Sequence, residues 1–249
     1  MQKLSEILLL SKNDIPFVEA QVNIHQPTIS EISFISEESF HIGCQLLTFS
    51  KKLLSQQDKI NLENSTDFEI FMSIMNSKES RVQNNAAINV LTLLFPEYEI
   101  KITMDKILFI KETFQSSLNE NNFYVFQEII KQMFDMENSV DEEAQPTYNP
   151  ADALAAKIAE KLKKGQNKAV EKNKSEEFKK IAIFSRYVSI LAVGEKKDIN
   201  DLMQYTVYQL KDEFKRYRMK DKFDMYVKAK MAGAQDLEEV DDWMKDIHL

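Results

Sequence analysis

The sequence predicts a mainly α-helical protein with a small β-hairpin or sheet in its N-terminal half. The expected layout is an α+β N-terminal domain followed by an all-α C-terminal helical module. Apolar residues recur at helical spacing through much of the chain, most clearly after residue 180. Glycine and proline are scarce, at 4 and 5 of 249 residues, whereas sheets with many tight turns need both. Hydrophobic residues make up 43% of the chain, which is enough for a sizeable core.

The first thirty residues predict short elements. Leu4 to Leu10 suits a short helix or strand, because apolar residues cluster there before a polar turn. Ile15 to Ile24 alternates weakly between apolar and polar residues, so we expect a strand or small hairpin. Thr28 or Ser30 is the expected N-cap of the next helix, since an acidic residue follows in the first turn.

Helical periodicity dominates from residue 32 to residue 96. Apolar residues three and four positions apart would share one face of each helix, and proline marks where the last one ends. The predicted regions are Ile32–Leu54, in two pieces hinged near His41 and Gly43; Phe68–Met75, with Asp67 as N-cap; and Val82–Phe95, ended by Pro96.

Residues 99–111 predict a β-hairpin. Glu99 to Thr103 alternates strictly, and Lys106 to Lys111 is again apolar after a two-residue turn. Its apolar face is expected to cover the preceding helices, with pairing to a strand near Val22 as an option. Asn121 or Asn122 is then the expected N-cap of a helix from Phe123 to Met136.

The strongest change in composition lies between residues 135 and 150. Five acidic residues and two prolines replace the apolar pattern there, which is typical of an exposed linker. The predicted organisation is therefore an N-terminal domain at 1–136, an acidic linker at 137–149 and a C-terminal helical module at 150–249. Within that module, residues 157–180 form a lysine-rich tether. Gly194 and Gly233 occupy positions expected for C-terminal helix caps.

Charge and cysteine content exclude some functions. The formal net charge is −8 and the pI is about 5.1, so binding to nucleic acid would require a local basic patch. Cys44 is the only cysteine, which excludes an internal disulfide and a thiolate metal cluster. No secretory signal and no apolar run long enough to span a membrane is found, so we expect a soluble protein that stays where it is made.

No catalytic motif is found. The sequence has no glycine-rich phosphate loop, no G-x-S-x-G elbow and no H-E-x-x-H zinc motif, and we expect neither an enzyme nor a cofactor. His41 and Cys44 are three residues apart and could share a helix face, but two ligands do not make a metal site. The lysine-rich tether lacks arginine, so we interpret it most simply as a solvated helix face. The alternative interpretation is contact with nucleic acid or an anionic partner.

The C-terminal segment supplies the candidate partner-binding residues. Residues 236–246 combine six acids with apolar residues at helical spacing around the only tryptophan. Such a helix can dock on its own domain or serve as an interaction helix for another protein. A second apolar face precedes it among alternating cations, and either a core face or a charged partner surface fits that pattern. The candidate partner-binding residues are Leu237, Val240, Trp243, Met244, Phe214 and Tyr217.

Residues 149–249 resemble the C-terminal part of a class of tailed-bacteriophage structural and assembly proteins. The resemblance rests on an N-P-A-D-x-L-A-x-K-I-A-E-K-L start, an R-Y-[VL]-S-I-L-A-V-G helix, a D-I-N-D-L-x-x-Y-T-V-Y-Q-L-x-D-E-F segment and an acidic W-M-K-D-I-H ending. The matching residues are Asn149–Leu162, Arg186–Gly194, Asp198–Phe214 and Ala229–His248. The N-terminal half resembles tail assembly chaperones and T4-type baseplate hub assembly proteins more loosely.

The resemblance implies a non-enzymatic role in phage tail or baseplate assembly. In the chaperone hypothesis the chain binds another tail protein, such as the tape measure protein or a baseplate hub component, in the host cytoplasm. In the first alternative the chain is a permanent structural component of the virion, and a homo-oligomer is compatible with either. A second alternative from another class is a nucleic-acid-associated regulator that uses the lysine-rich tether. Nucleic acid is the less favoured partner because of the acidic total, and no membrane partner is expected.

Overall fold

A computed structural model describes residues 3–51, 65–77, 80–136, 183–233, 240 and 242–244. It confirms the predicted fold class, with helices throughout and two small antiparallel sheets in the N-terminal part. The helices are α1 (Glu6–Leu10), α2 (Ile29–Ser33), α3 (Glu37–Leu47), α4 (Asp67–Asn76), α5 (Arg81–Leu94), α6 (Glu120–Met133), α7 (Ile183–Glu195), α8 (Ile199–Met203) and α9 (Val207–Met231). The strands are β1 (Ile15–Phe17), β2 (Val22–Ile24), β3 (Glu99–Ile102), β4 (Ile107–Lys111) and β5 (Phe114–Leu118).

Two sheets form as independent units. Strands β1 and β2 pair with each other, with Ile15 opposite Ile24, and confirm the predicted small hairpin. The predicted hairpin at 99–111 is also confirmed, in the register Ile100 to Phe109, and β5 pairs on the far side of β4. The optional pairing with the strand near Val22 is wrong, because β2 pairs with β1 in a separate sheet and β4 pairs with β3 and β5.

One predicted N-cap is confirmed, and two others lie close to the observed caps. Thr28 is confirmed as the N-cap of α2, where its hydroxyl accepts from the Glu31 N–H at 3.2 Å and the Glu31 carboxylate accepts in return. The cap of α4 is Thr66 rather than Asp67, and that of α6 is Asn119 rather than Asn121 or Asn122. Helices α4 and α6 therefore both begin earlier than predicted, each with a reciprocal capping box.

The predicted hinge near His41 and Gly43 is wrong. Helix α3 runs unbroken through both residues, and the break lies before it, where Ser36 has a φ of 70° and caps the helix. Gly43 instead allows α3 to pack closely against α5. A Cβ built on it would lie 2.5 Å from the Ala86 carbonyl oxygen of α5, so only glycine lets these two helices approach so closely.

Phenylalanine dominates the core of the N-terminal part. The Phe95 and Phe109 rings are 4.2 Å apart and join α5 to the three-stranded sheet. Phe71 of α4 stacks on Phe123 of α6 at 5.0 Å. The ring centroids of Phe17 in β1 and Phe126 are 5.9 Å apart, so the small hairpin also packs on α6. Each of these rings is at most 2% exposed.

Helices α7 to α9 pack on this same core. Thr28 and Thr206 form an isolated antiparallel bridge, and the Ile29 N–H donates to the Tyr205 carbonyl at 2.9 Å. The Phe184 N–H donates to the Glu37 carboxylate at 2.6 Å. Residues 1–137 and 184–249 accordingly form one compact unit, with residues 138–183 grouped separately. The predicted division at 137–149 and the tether at 157–180 lie outside the described residues and stay predictions.

Candidate partner-binding surface

Helix α9 is buried in its first part and exposed in its second. It spans 25 residues, which is about 37 Å at the usual rise per residue. Its buried residues all lie between Val207 and Phe214, and no residue from 215 to 231 is buried. We call residues 218–231 the projecting half, because its side chains contribute no buried residue to the core.

The aromatic residues at the base of this helix belong to the protein's own packing. Phe214 stacks on Tyr187 of α7 with centroids 3.8 Å apart and an interplanar angle of 13°, and it is only 7% exposed. Tyr217 lies directly over Gly194, where a Cβ would collide with its ring. Gly194 is thus a packing position inside α7, which continues to Glu195, and its predicted role as a C-cap is wrong. The Phe214 ring is thus covered by Tyr187, and the partner-binding role of Phe214 and Tyr217 stays a prediction.

The projecting half combines an apolar stripe with exposed methionines. Met219, Phe223 and Tyr226 are half-buried and lie on one face, at i, i+4 and i+7. Met225 is 56% exposed and Met231 is 84% exposed. The helix ends as predicted at Gly233, whose φ of 86° is easily adopted only by glycine. An apolar stripe on an exposed helix end is typical of a surface that binds another chain.

The projecting half is also basic. It carries five cations against two anions, and none of the five forms an ion pair with a residue in the described part of the chain. These cations are Arg218, Lys220, Lys222, Lys228 and Lys230, and the anions are Asp221 and Asp224. By contrast, Lys215 and Arg216 are held by Asp135 and Asp212 at the base of the helix. Residues 218–231 therefore carry a net charge of +3 in a chain whose formal net charge is −8.

Part of the acidic C-terminal segment lies beside this surface. The Trp243 ring is half-buried, and the Lys220 Nζ lies 6.0 Å from its centroid, within the range of a cation–π contact. Val240 is half-buried and Met244 is 68% exposed. Leu237 lies outside the described residues.

A charged cluster that the sequence did not predict joins α7 to the start of α9. Lys197 pairs with Glu195 at 3.3 Å and with Glu213, and it donates to the Tyr205 hydroxyl at 3.2 Å. Burial lowers the pKa of Lys197, but the bonds to Glu213 and Tyr205 outweigh burial and keep the pKa above its ordinary value. Burial raises the pKa of Glu195, and the neighbouring Glu213 carboxylate raises it further. No periodic pattern indicates this cluster, because its members come from a loop and two helices.

A second concave surface lies between α4 and α6. It comprises two adjoining grooves of about 450 and 360 Å³ that share Phe68 and Glu120. The first extends to Met104 at the tip of the β3–β4 turn, and the second to Tyr124. Both are wide open to solvent, so neither encloses a small molecule as ligand pockets usually do.

The described residues offer little to a metal or to a membrane. No three His, Cys, Asp or Glu side chains among them are placed to share a metal ion. His25 contacts Asp14 through Nδ1 and Glu31 through Nε2, on opposite sides of the ring, so these carboxylates cannot converge on one ion. Cys44 is fully buried, and burial raises the pKa of its thiol. Within the described ranges, no helix is both long and apolar enough to cross a membrane.

Comparison with models of known protein families places part of the chain beside a phage-derived family. Residues 172–248 match the family model of the YomV second domain, a family derived from phage. The match includes α7, α8, α9 and the acidic C-terminal segment, and it covers less than a third of the chain. No curated protein and no solved structure matches the chain. The similarity therefore suggests a phage protein but does not indicate a particular role in a virion.

Proposed function

We propose that this chain is a non-enzymatic phage protein that acts in tail or baseplate assembly by binding another tail protein, in the manner of a tail assembly chaperone. The observation that carries this proposal is the projecting half of α9. It presents exposed methionines, and cations that form no ion pair with a described residue, on a helix whose base is packed in the core. The similarity of residues 172–248 to a phage-derived family supports the phage setting.

The chemistry of the projecting half suits a protein partner with an acidic, apolar face. Methionine side chains are flexible and polarisable, so they adapt to more than one apolar surface. A helix that inserts into a groove uses anchors at i, i+4 and i+7, which is the spacing of Met219, Phe223 and Tyr226. Cations around such anchors speed the encounter with an acidic partner and select against basic ones. A tape measure protein or a baseplate hub component is the partner class proposed.

Mass spectrometry of purified phage particles tests where the chain acts. We expect the chain to be absent from particles, while phage that lack the gene fail to complete their tails. Presence of the chain in the particles at a fixed copy number would instead make it a permanent structural component of the virion. Absence from particles together with normal tails would overturn both roles and leave a regulator of another process.

A matched set of variants tests the surface itself. Met225→Asp with Met231→Asp places charge on the projecting half, and we expect this variant to fail to restore tails to phage that lack the gene. Val82→Asp is the control, because Val82 is 68% exposed but lies in the first turn of α5. Full rescue by the double variant, or equal loss with Val82→Asp, would show that the projecting half is not the binding surface.

A further inference from the structure

The two grooves between α4 and α6 combine an apolar floor with exposed apolar residues at their rim. Phe68, Met72 and Phe123 line the grooves and are at most 5% exposed. Met104 and Tyr124 also line them, and these two residues are 89% and 61% exposed. Because the grooves are open along their length, such a surface suits a segment of another chain better than a small molecule.

The rim of the grooves is acidic. Among the described residues that line them, the charged ones are four carboxylates and one lysine, namely Asp67, Glu69, Asp105, Glu120 and Lys51. Glu69, Asp105 and Glu120 are exposed. The Lys51 ammonium donates to the Ser65 carbonyl oxygen at 2.9 Å. A segment that joins apolar side chains to cations therefore complements the grooves.

The projecting half of α9 has this chemistry. Met219, Phe223 and Tyr226 form its apolar stripe, and five cations accompany two anions along it. None of the five cations forms an ion pair with a described residue. The projecting half thus has a net charge of +3, and the described lining of the grooves has a net charge of −3. The two surfaces match in charge and in apolar character.

A molecule does not place its own α9 in its own grooves. The base of α9 is held at the C-terminal end of α6, where Lys211 and Lys215 bind Phe134 and Asp135. Both grooves include Glu120 at the other end of α6, fourteen residues or about 21 Å from Phe134. None of the described residues that line the grooves belongs to α9. Because α9 is one continuous helix with its base packed in the core, it would have to break to reach them.

We propose that the projecting half of α9 of one copy docks in the grooves between α4 and α6 of a second copy. Two different surfaces meet in this contact, so it is heterologous. Each pair of copies keeps one open groove surface and one open helix, to which further copies add head to tail. The contact does not rest on the proposed function, although a tail protein bound to the projecting half would compete with the second copy.

Sedimentation of the purified full-length chain over a range of concentrations tests the contact. We expect the wild type to form dimers and larger oligomers as its concentration rises. The groove variant, Asp105→Lys with Glu120→Lys, should weaken this association by about tenfold or more, because like charges then meet. The helix variant, Lys222→Glu with Lys228→Glu, should weaken it to a similar degree. A wild type that stays monomeric at every concentration would overturn the proposal.

The matched control for the groove variant is Glu19→Lys with Asp201→Lys. It changes the net charge by the same amount, at exposed residues between β1 and β2 and in α8. We expect the control to associate as the wild type does. A groove variant that associates as strongly as this control would also overturn the proposal.

An equimolar mixture of the groove variant and the helix variant separates a broken interface from a damaged fold. The groove variant keeps a basic α9 and the helix variant keeps acidic grooves, so the mixture should form heterodimers although neither variant associates alone. A mixture that stays monomeric would overturn the head-to-tail contact. The measurement uses the purified chain without phage particles, so its failure and the failure of the proposed function are distinguishable.

Discussion

Lys215 of α9 and Asp135 at the end of α6 form an ion pair, with Nζ 2.5 Å from Oδ2 and side chains only 11% and 6% exposed. Lys211, one turn earlier, donates to the backbone carbonyls of Phe134 and Asp135 at 2.9 and 3.1 Å. Two lysines of α9 therefore hold the last described residues before position 137. This is where α9 leaves the core and its projecting half begins.

Removing the cation of this pair should destabilise the fold. Lys215→Met keeps much of the apolar stem but removes the ammonium that neutralises the buried Asp135 carboxylate, so we expect a loss of about 3 kcal/mol in the free energy of unfolding. Adding Asp135→Asn should recover part of that loss, because asparagine tolerates the φ of 47° at this position and carries no charge. Urea denaturation of the two single variants and the double variant measures the coupling.

The control for this cycle is the exposed pair of Lys101 and Glu99, whose side chains are more than half exposed. Lys101→Met should change the unfolding free energy by less than about 1 kcal/mol. If Lys215→Met costs no more than Lys101→Met, the buried pair does not stabilise the base of α9.

Phe214 and Met225 should respond in opposite ways to substitution. Phe214→Ala removes a buried ring that stacks on Tyr187, and we expect it to cost about 3–5 kcal/mol. Met225→Asp changes an exposed residue of the same helix and should stay within about 0.5 kcal/mol. Thermal and urea unfolding measure both. A destabilising Met225→Asp would mean that the projecting half contributes to the core after all.

Alanine at the two helical glycines should destabilise to different degrees. Gly43→Ala drives a methyl group against the Ala86 carbonyl oxygen, and backbone cannot move aside easily, so we expect a loss of about 1–3 kcal/mol. Gly194→Ala meets only the Tyr217 side chain, which can rotate, and should cost less. Chemical denaturation ranks the two variants. The reverse order would show that α3 and α5 can separate at little cost.

The N-cap of α2 should make the free energy of unfolding depend on pH in the acidic range. Burial raises the pKa of Glu31, but bonds from the Thr28 backbone N–H and hydroxyl and from His25 lower it more, so the folded pKa lies below the ordinary 4.5. A lowered folded pKa contributes stability above pH 4.5, and this contribution is lost as the pH falls through the folded value. Glu31→Gln should therefore be less stable than wild type at pH near 7, with the difference shrinking in acid. A difference that stays constant with pH would exclude a charge effect at this cap.

Local patterns explain why much of the fold was predictable. The helices of the N-terminal part follow the 3.6-residue period, and β3 and β4 follow strict alternation, so their places depend on neighbouring residues alone. The caps were predicted less well because Thr66 and Asp67 are both good cap residues, and only the helix geometry chooses between them. The break at Ser36 has no glycine or proline to mark it.

The candidate surface was predictable only in part. Periodicity identifies the apolar face that includes Phe214 and Tyr217, but it does not say whether that face meets the protein's own core. The answer lies in contacts such as Tyr187 with Phe214, and Glu37 with Phe184, whose partners are far apart in sequence. Charge was informative where periodicity was not, because cations alternate with apolar residues along the projecting half. In the structure these cations form no ion pair with any residue of the described ranges.

Phe40 has a consequence for the architecture of the chain. Its ring lies 4.9 Å from Phe134 and 5.8 Å from Phe184, so one side chain touches residues on either side of positions 137–182. We therefore expect fragments 1–136 and 183–249, made separately, to associate in solution. In this sense two separate stretches of one chain build a single core.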